Sequence, residues 1–182
     1  MSRPKILMNG SLLEVVTQRL CYQLIEKYAP FQKTIFIGIQ PRGVRLMDYL
    51  EKNMKLLYPG INWVSGVVDP TFYRDDFRRG DKQLHAHITK IPVHLDGWKV
   101  ILVDDVLYTG RTIRASMEAL MEYGRPDTVD LLVLINRKFT RELPIEPAFI
   151  GKSIDRYDHQ KVKVIWGDDS TQDHQVILSQ ES

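Results

Sequence analysis

Apolar residues recur at helical spacing in three parts of this chain. Between residues 12 and 28 they return every three or four positions, which predicts an amphipathic helix. The members of this stripe are Leu12, Leu13, Val16, Leu20, Leu24 and Tyr28. Ser11 and Glu14 have the spacing of a capping box, and Pro30 marks the end of the helix. Residues 44–57 predict a second helix, and residues 112–123 predict a third, with Gly124 at its C-terminal cap.

Four short runs are almost continuously apolar, as expected of strands that are covered on both faces. These runs are residues 34–39, 100–103, 130–135 and 162–166. Residues 63–94 have a β-like but irregular pattern. Because the strands alternate with helices, we predict an α/β fold with a central parallel sheet.

Length and composition narrow the class of protein. The 182 residues predict one domain over residues 1–182, since a domain usually comprises about 100–200 residues. The 25 basic and 23 acidic residues nearly balance, which argues against a polybasic nucleic-acid binder. Cys21 is the only cysteine, so the chain forms no intrachain disulfide and a cytoplasmic location is expected. No apolar run is long enough to cross a membrane, so no membrane partner is expected.

The most informative segment follows the strand at residues 100–103. Two adjacent acids, Asp104 and Asp105, lead into a polar loop and then into the third helix. Ligands of parallel sheets bind beyond the carboxyl ends of the strands. Adjacent carboxylates can accept hydrogen bonds from sugar hydroxyls or from water on a hard divalent cation. The backbone N–H groups of residues 108–112, at a helix N-terminus, would attract phosphate. The segment therefore predicts a site for a sugar next to a phosphate.

Other nucleotide and metal sites are poorly supported. The chain contains no G-x-G, which excludes the dinucleotide fingerprint. Gly38 and Gly43 have the spacing of a P-loop, but Val44 stands where its lysine is required. His85 and His87 share one face of a strand-like run, yet no third metal ligand lies nearby in the sequence.

The complete run over residues 100–112 resembles the signature of type I phosphoribosyltransferases, which bind 5-phosphoribosyl-1-diphosphate (PRPP). The resemblance implies that Asp104 and Asp105 contact the ribose hydroxyls and that the following loop holds the 5′-phosphate. The implied ribose and phosphate contacts are Asp104, Asp105, Val106, Leu107, Tyr108, Thr109, Gly110, Arg111 and Thr112. The implied fold is a central parallel β-sheet flanked by helices, with a small hood and a flexible β-hairpin loop.

The resemblance also implies a place for the diphosphate. The family's pyrophosphate loop falls on residues 40–43, and a flexible loop that closes over the substrate falls near residues 73–76. Closure would exclude water from the reactive sugar. The expected diphosphate contacts are Gln40, Pro41, Arg42, Gly43 and Arg74. The expected catalytic residues are Arg42, Arg74, Asp104 and Asp105, with Mg²⁺ bound through the substrate and no direct metal ligand from the protein.

Within that superfamily the chain is most similar to PyrR, the pyrimidine-operon attenuators that are also uracil phosphoribosyltransferases. The similarity covers essentially the whole chain and implies conversion of uracil and PRPP to UMP and diphosphate. Tyr108 stands where purine enzymes carry an aspartate, which favours a pyrimidine. The family's Asp-Arg-Gly-His is replaced by residues 136–139, Asn-Arg-Lys-Phe, which keep Arg137 as the candidate base contact. An enzyme for a purine base remains an alternative.

A second alternative is an RNA-binding regulator of pyrimidine genes with little catalysis. Gln18 and Tyr22 stand where regulatory members carry a threonine and a histidine, and Glu146 replaces a usual arginine. Losing positive charge there would weaken contact with RNA phosphates. The remaining candidate RNA contacts are Arg19, Arg141 and Lys152. The partners implied by the resemblance are PRPP, uracil, UMP, an mRNA leader as a candidate, and further copies of the chain in a homodimer or larger assembly.

Overall fold

The computed structural model describes residues 4–75, 87–155, 160–167 and 174–180. The strands of this part are β1 (Lys5–Met8), β2 (Thr34–Ile39), β3 (Ser65–Val68), β4 (Lys99–Leu107), β5 (Thr128–Arg137), β6 (Phe149–Ile154), β7 (Gln160–Ile165) and β8 (Gln175–Gln180). The helices are α1 (Gly10–Tyr28), α2 (Arg42–Leu57) and α3 (Arg111–Leu120), with 3₁₀ turns at Thr71–Tyr73 and Met121–Tyr123. Within these described residues, no helix is both long and apolar enough to cross a membrane.

A parallel sheet forms the centre of the fold and confirms the predicted α/β class. Its strand order is β3-β2-β4-β5-β6, and every neighbouring pair is parallel. All six residues of β2 are buried, as the apolar run at residues 34–39 predicted. One core cluster packs the sheet against α1 and α2, and a second packs the opposite face against α3.

The hood is a separate antiparallel sheet in the order β1-β8-β7. The run at residues 162–166 does form a strand, but the prediction that it joins the buried strands of the central sheet is wrong. Burial alternates along β7, with Val162 and Val164 buried and their neighbours more exposed, because only one face of the hood is covered. Of the flexible loop expected near residues 73–76, Tyr73, Arg74 and Asp75 are described, whereas Asp76 lies outside the described residues, as does His85.

The ends of the helices differ from the sequence prediction. Asn9, rather than Ser11, caps α1, since its side-chain Oδ1 accepts a hydrogen bond from the Leu12 N–H at 3.0 Å. The α2 helix begins two residues earlier than predicted, at Arg42. Gly124 follows a 3₁₀ turn with φ of +120° and an extended ψ of −175°, so it does not form the predicted cap of α3.

Candidate active site

A cavity of about 460 Å³ lies at the carboxyl ends of β2 and β4, where ligands of parallel sheets bind. Its walls come from the central sheet, the N-termini of two helices and the hood. The lining residues are Ile39, Gln40, Pro41, Arg42, Arg74, Asp104, Asp105, Val106, Tyr108, Thr112, Arg137, Lys161 and Val162. The fold therefore brings most of the predicted site residues to one place.

Asp104 and Asp105 lie within β4 itself, which continues to Leu107 instead of ending at residue 103. Both are buried, and the Asp105 N–H donates to Asp104 Oδ1 at 2.9 Å. Asp105 Oδ2 is buried without a hydrogen-bond partner in the described part of the chain. Burial raises the pKa of both carboxyls, the charge of Asp105 raises the pKa of Asp104 further, and Arg42 opposes both effects. The unpaired Asp105 Oδ2 leaves this pair able to accept a hydrogen bond from a ligand.

The predicted diphosphate segment links β2 to α2. Gln40 and Pro41 connect the two elements, and Arg42 is the first residue of the helix. Gly43 is buried, and a Cβ there would overlap the carbonyl group of Val103 on β4. This close approach brings the start of α2 directly against the strand of the carboxylates. Gly43 does not line the cavity itself, whereas Arg74, which follows the first 3₁₀ turn, does.

The predicted phosphate loop lies between β4 and α3. Gly110 precedes α3 with φ of +93°, a left-handed conformation that favours glycine. Tyr108 and Thr112 line the cavity, while Leu107 is buried in the core beneath the loop. Thr109, Gly110 and Arg111 are not among the lining residues. The guanidinium of Arg111 instead pairs with Glu142 at 2.6 Å and with Asp75 at 2.9 Å.

Arg137 ends β5 and is buried, with 5% of its surface exposed. Its guanidinium carbon is 3.6 Å from the centroid of the Tyr108 ring. The Nε and Nη2 atoms have no hydrogen-bond partner within the described ranges. The predicted base contact therefore faces the same cavity as the carboxylates.

The comparison with protein families agrees with this geometry. The family described as phosphoribosyl transferase domain matches residues 6–170. The chain belongs to the phosphoribosyltransferase family.

Two relatives of this phosphoribosyltransferase are named bifunctional protein PyrR. The protein from Listeria monocytogenes is 37% identical over 182 residues, covering 98% of each chain. The protein from Synechocystis is 43% identical over 155 residues, covering 85% of each chain. The predicted membership of the PyrR group is therefore confirmed.

Solved structures support the phosphoribosyltransferase fold. A hypoxanthine phosphoribosyltransferase from Staphylococcus aureus superposes with a TM-score of 0.69 at 17% identity, covering 97% of this chain and 92% of that one. A hypoxanthine-guanine-xanthine phosphoribosyltransferase superposes with a TM-score of 0.66 at 14% identity, covering 98% and 94%. At these identities the likeness establishes the fold alone.

Sequence reasoning missed the contribution of the hood to the phosphoribosyltransferase cavity. Lys161 and Val162 of β7 line it opposite residues from the central sheet. The alternation of Lys and Val along residues 161–164 indicates a strand with one covered face. It gives no sign of the antiparallel pairing with β8 that carries this strand to the cavity.

None of the predicted RNA contacts is among the lining residues of the cavity, and each donates to a backbone carbonyl group. Arg19 donates to the carbonyl oxygens of Ile150 and Gly151, and Lys152 donates to that of Leu7. Arg141 donates to the carbonyl oxygen of Tyr108 and, at 2.7 Å, to Asn136 Oδ1. His87 is exposed, and across the described ranges no group of three His, Cys, Asp or Glu residues is arranged to hold a metal.

Proposed function

We propose that this phosphoribosyltransferase transfers the phosphoribosyl group of PRPP to uracil and forms UMP and diphosphate. One observation carries the proposal. A buried carboxylate pair, two arginines and a third, buried arginine face a single cavity at the carboxyl end of a parallel sheet. The carboxylates match the ribose hydroxyls. The two arginines, Arg42 and Arg74, match the leaving diphosphate, and the buried Arg137 matches the base.

The sugar and the leaving group would be held by separate sets of charges. Asp104 and Asp105 accept hydrogen bonds from the ribose 2′- and 3′-hydroxyls, which satisfies the unpaired Asp105 Oδ2. Arg42 and Arg74 donate to diphosphate oxygens and stabilise the negative charge that develops as the C1′–O bond breaks. The N-terminus of α3 would receive the 5′-phosphate.

Uracil requires no protein group that removes its proton. We place Tyr108 beside the base, and among the described residues that line the cavity there is no histidine or cysteine. Uracil N1 is acidic enough to react largely as its anion. We therefore assign catalysis to positioning and electrostatic stabilisation.

Mg²⁺ fits this site as an ion that arrives with the substrate. Within the described residues no cluster of three ligands is available. The adjacent carboxylates of Asp104 and Asp105 nevertheless offer hard oxygen atoms, one of them unpaired, toward the cavity. When bound, the ion would neutralise part of the diphosphate charge.

The proposal includes three broader points. The chain acts as one phosphoribosyltransferase domain over residues 1–182, as a homodimer or larger assembly. It works in the cytoplasm, where Cys21, buried and free, stays reduced. Its function is pyrimidine salvage.

A substrate panel tests the proposal. The chain is incubated with PRPP, Mg²⁺ and each of uracil, hypoxanthine and guanine, and diphosphate release is measured. We expect release with uracil. Release with guanine or hypoxanthine and none with uracil would reject the choice of base in favour of the purine alternative.

Because its relatives are named bifunctional protein PyrR, we propose a second candidate activity for this chain, UMP-dependent RNA binding that regulates pyrimidine genes. Arg19, Arg141 and Lys152 are the candidate contacts. A gel shift with the leader RNA of the chain's own pyrimidine operon, with and without UMP, tests this activity. Tight binding that UMP strengthens would support regulation, and unchanged mobility of the RNA would reject it.

A further inference from the structure

Two successive carbonyl groups of the predicted phosphate loop are held by residues that follow β5. Arg141 donates through Nη1 to the carbonyl oxygen of Tyr108. The next carbonyl oxygen along the loop, that of Thr109, accepts hydrogen bonds from the Glu142 N–H at 3.0 Å and from the Leu143 N–H at 3.3 Å. Both peptide groups that precede Gly110 are therefore fixed through their carbonyl oxygens.

The N–H groups of the same two peptides are free to bind a ligand. Both peptide bonds are trans, and a planar trans peptide directs its N–H away from its carbonyl oxygen. The Thr109 N–H therefore points away from the Arg141 guanidinium, and the Gly110 N–H points away from the backbone of residues 142 and 143. Within the described residues, neither N–H donates to a protein group. Free N–H groups where a helix begins attract phosphate.

Arg141 itself lies outside the candidate active site. It lines a separate cavity of about 780 Å³ and is not among the residues that line the cavity of the carboxylates. Its Nη2 donates to Asn136 Oδ1 at 2.7 Å, which fixes the side chain against the end of β5. Its aliphatic part packs close to the loop, since a Cβ added to Gly110 would lie 3.6 Å from Arg141 Cδ. The guanidinium therefore contacts the loop rather than the substrate site.

We propose that Arg141 is a positioning residue, which holds the Tyr108 carbonyl so that the Thr109 N–H is directed at the 5′-phosphate of PRPP before the substrate binds. This inference rests on the proposed function, which assigns the 5′-phosphate to the N-terminus of α3. Preorganised donors bind more tightly than mobile ones, because the cost of ordering them has been met during folding. The role differs from the RNA contact that the resemblance implies, since Nη1 and Nη2 are both engaged within the protein.

Calorimetry with two ligands tests this role. PRPP carries the 5′-phosphate and inorganic diphosphate does not. Both are titrated, with Mg²⁺, into the wild type and into Arg141→Met, which keeps an unbranched side chain without donors. We expect Arg141→Met to bind PRPP about tenfold more weakly, the scale of one charge-assisted hydrogen bond, and to bind diphosphate as the wild type does. Unchanged diphosphate binding also shows that the variant is folded.

Arg141→Lys is the conservative variant. Its ammonium can still donate to one acceptor, so its affinity for PRPP should lie between those of the wild type and Arg141→Met. If Arg141→Met does not fold, Arg141→Lys carries the same comparison with a smaller expected loss. In turnover with whichever base the wild type accepts, Arg141→Met should raise the KM for PRPP and leave kcat within about twofold.

Lys138→Gln is the matched control. Lys138 lines the same separate cavity as Arg141 and pairs with Asp155 at 3.9 Å. In the described part of the chain it makes no hydrogen bond to the phosphate loop. This variant should bind PRPP and diphosphate with wild-type affinity.

Three results would overturn the inference. Wild-type affinity of Arg141→Met for PRPP would show that the loop does not depend on Arg141. An equal loss for PRPP and diphosphate would mean that Arg141 only supports the fold around the active site. A comparable loss in Lys138→Gln would assign the effect to the separate cavity. These titrations contain no base, so turnover of a purine alone by the wild type would reject the choice of uracil and leave this inference standing.

Discussion

Arg111 Nη1 lies 2.9 Å from a carboxylate oxygen of Asp75, so the first residue of α3 is tied to the segment that follows the first 3₁₀ turn. The same guanidinium binds Glu142 at 2.6 Å, and hydrogen bonding to Glu142 raises the pKa of Arg111. Under the proposed function, two carboxylates therefore compete with an incoming 5′-phosphate for this cation. Without ligand, Asp75 and Glu142 neutralise part of the positive charge that Arg111 contributes to the predicted phosphate loop.

The first prediction concerns this competition. Asp75→Asn should lower the KM for PRPP about threefold, the scale of an exposed ion pair, because Arg111 becomes more available to phosphate. Steady-state kinetics at low and physiological salt measure the effect, which should shrink with added salt. Glu118→Gln is the control, since Glu118 pairs with Arg114 of the same helix and does not contact Arg111. A higher KM in Asp75→Asn alone would contradict the prediction.

The second prediction concerns the carboxylate pair. Replacing both Asp104 and Asp105 by Asn should abolish diphosphate release, because the amides cannot provide the paired anionic acceptors for the ribose. The loss should appear in the rate at saturating PRPP as well as in KM. Wild-type turnover by the double variant would reject the assignment.

The same pair should also make stability depend on pH. Burial raises the pKa of both carboxyls in the folded state above the unfolded value, so the folded protein favours their protonated forms. Their stabilising contribution is fully present below the unfolded pKa and is lost as pH rises through the folded pKa. Without ligand, the double Asn variant should therefore gain stability over wild type as pH rises from about 4 toward neutral. Thermal unfolding across pH measures this, and an advantage that shrinks with rising pH would contradict it.

The third prediction tests how α2 is fixed against β4. Gly43→Ala should lower the free energy of unfolding by about 1–3 kcal/mol, because the added Cβ would overlap the Val103 carbonyl. It should also raise the KM for PRPP, since Arg42 is displaced with the helix. Gly60→Ala is the matched control, as no described atom beyond its chain neighbours lies within 4 Å of its added Cβ. Urea unfolding separates the two variants, and equal midpoints would count against the close packing.

The fourth prediction concerns the hood. Lys161→Met should raise the KM for PRPP about threefold, the scale of an exposed ion pair, because the exposed Lys161 ammonium at the cavity would no longer attract a phosphate of the substrate. Lys163→Met is the control, because Lys163 lies two residues along the same strand but does not line the cavity. Steady-state kinetics with PRPP as the varied substrate measure the KM of both variants. Equal behaviour of the two variants would remove Lys161 from the site.

The sequence predicted the centre of the sheet better than its surroundings. β2 ends where the apolar run ends, because strands covered on both faces consist of apolar residues throughout. β1, β6 and β8 were not predicted as strands. Their positions depend on pairing with distant partners, such as Lys5 with Leu178. Asn9 was missed as the cap because Ser11 and Glu14 offered an equally plausible local pattern.

The candidate site shows the same division. Asp104 and Asp105 were predicted because neighbouring acids after a strand are visible in sequence. Lys161 was not, because only the fold of the hood brings it to the cavity. The pairing of Arg111 with Asp75 likewise depends on contacts between segments 36 residues apart.

Charged side chains that face the cavity lie on different strands, and this separation bears on how the base specificity of the enzyme can be altered. The carboxylates lie on β4, whereas Arg137 ends β5 and Lys161 belongs to the hood. Under the proposed assignments, substitutions at the end of β5 can alter the accepted nucleobase while the strand of the carboxylates stays untouched. A directed-evolution library for new nucleotide products should therefore be confined to the end of β5.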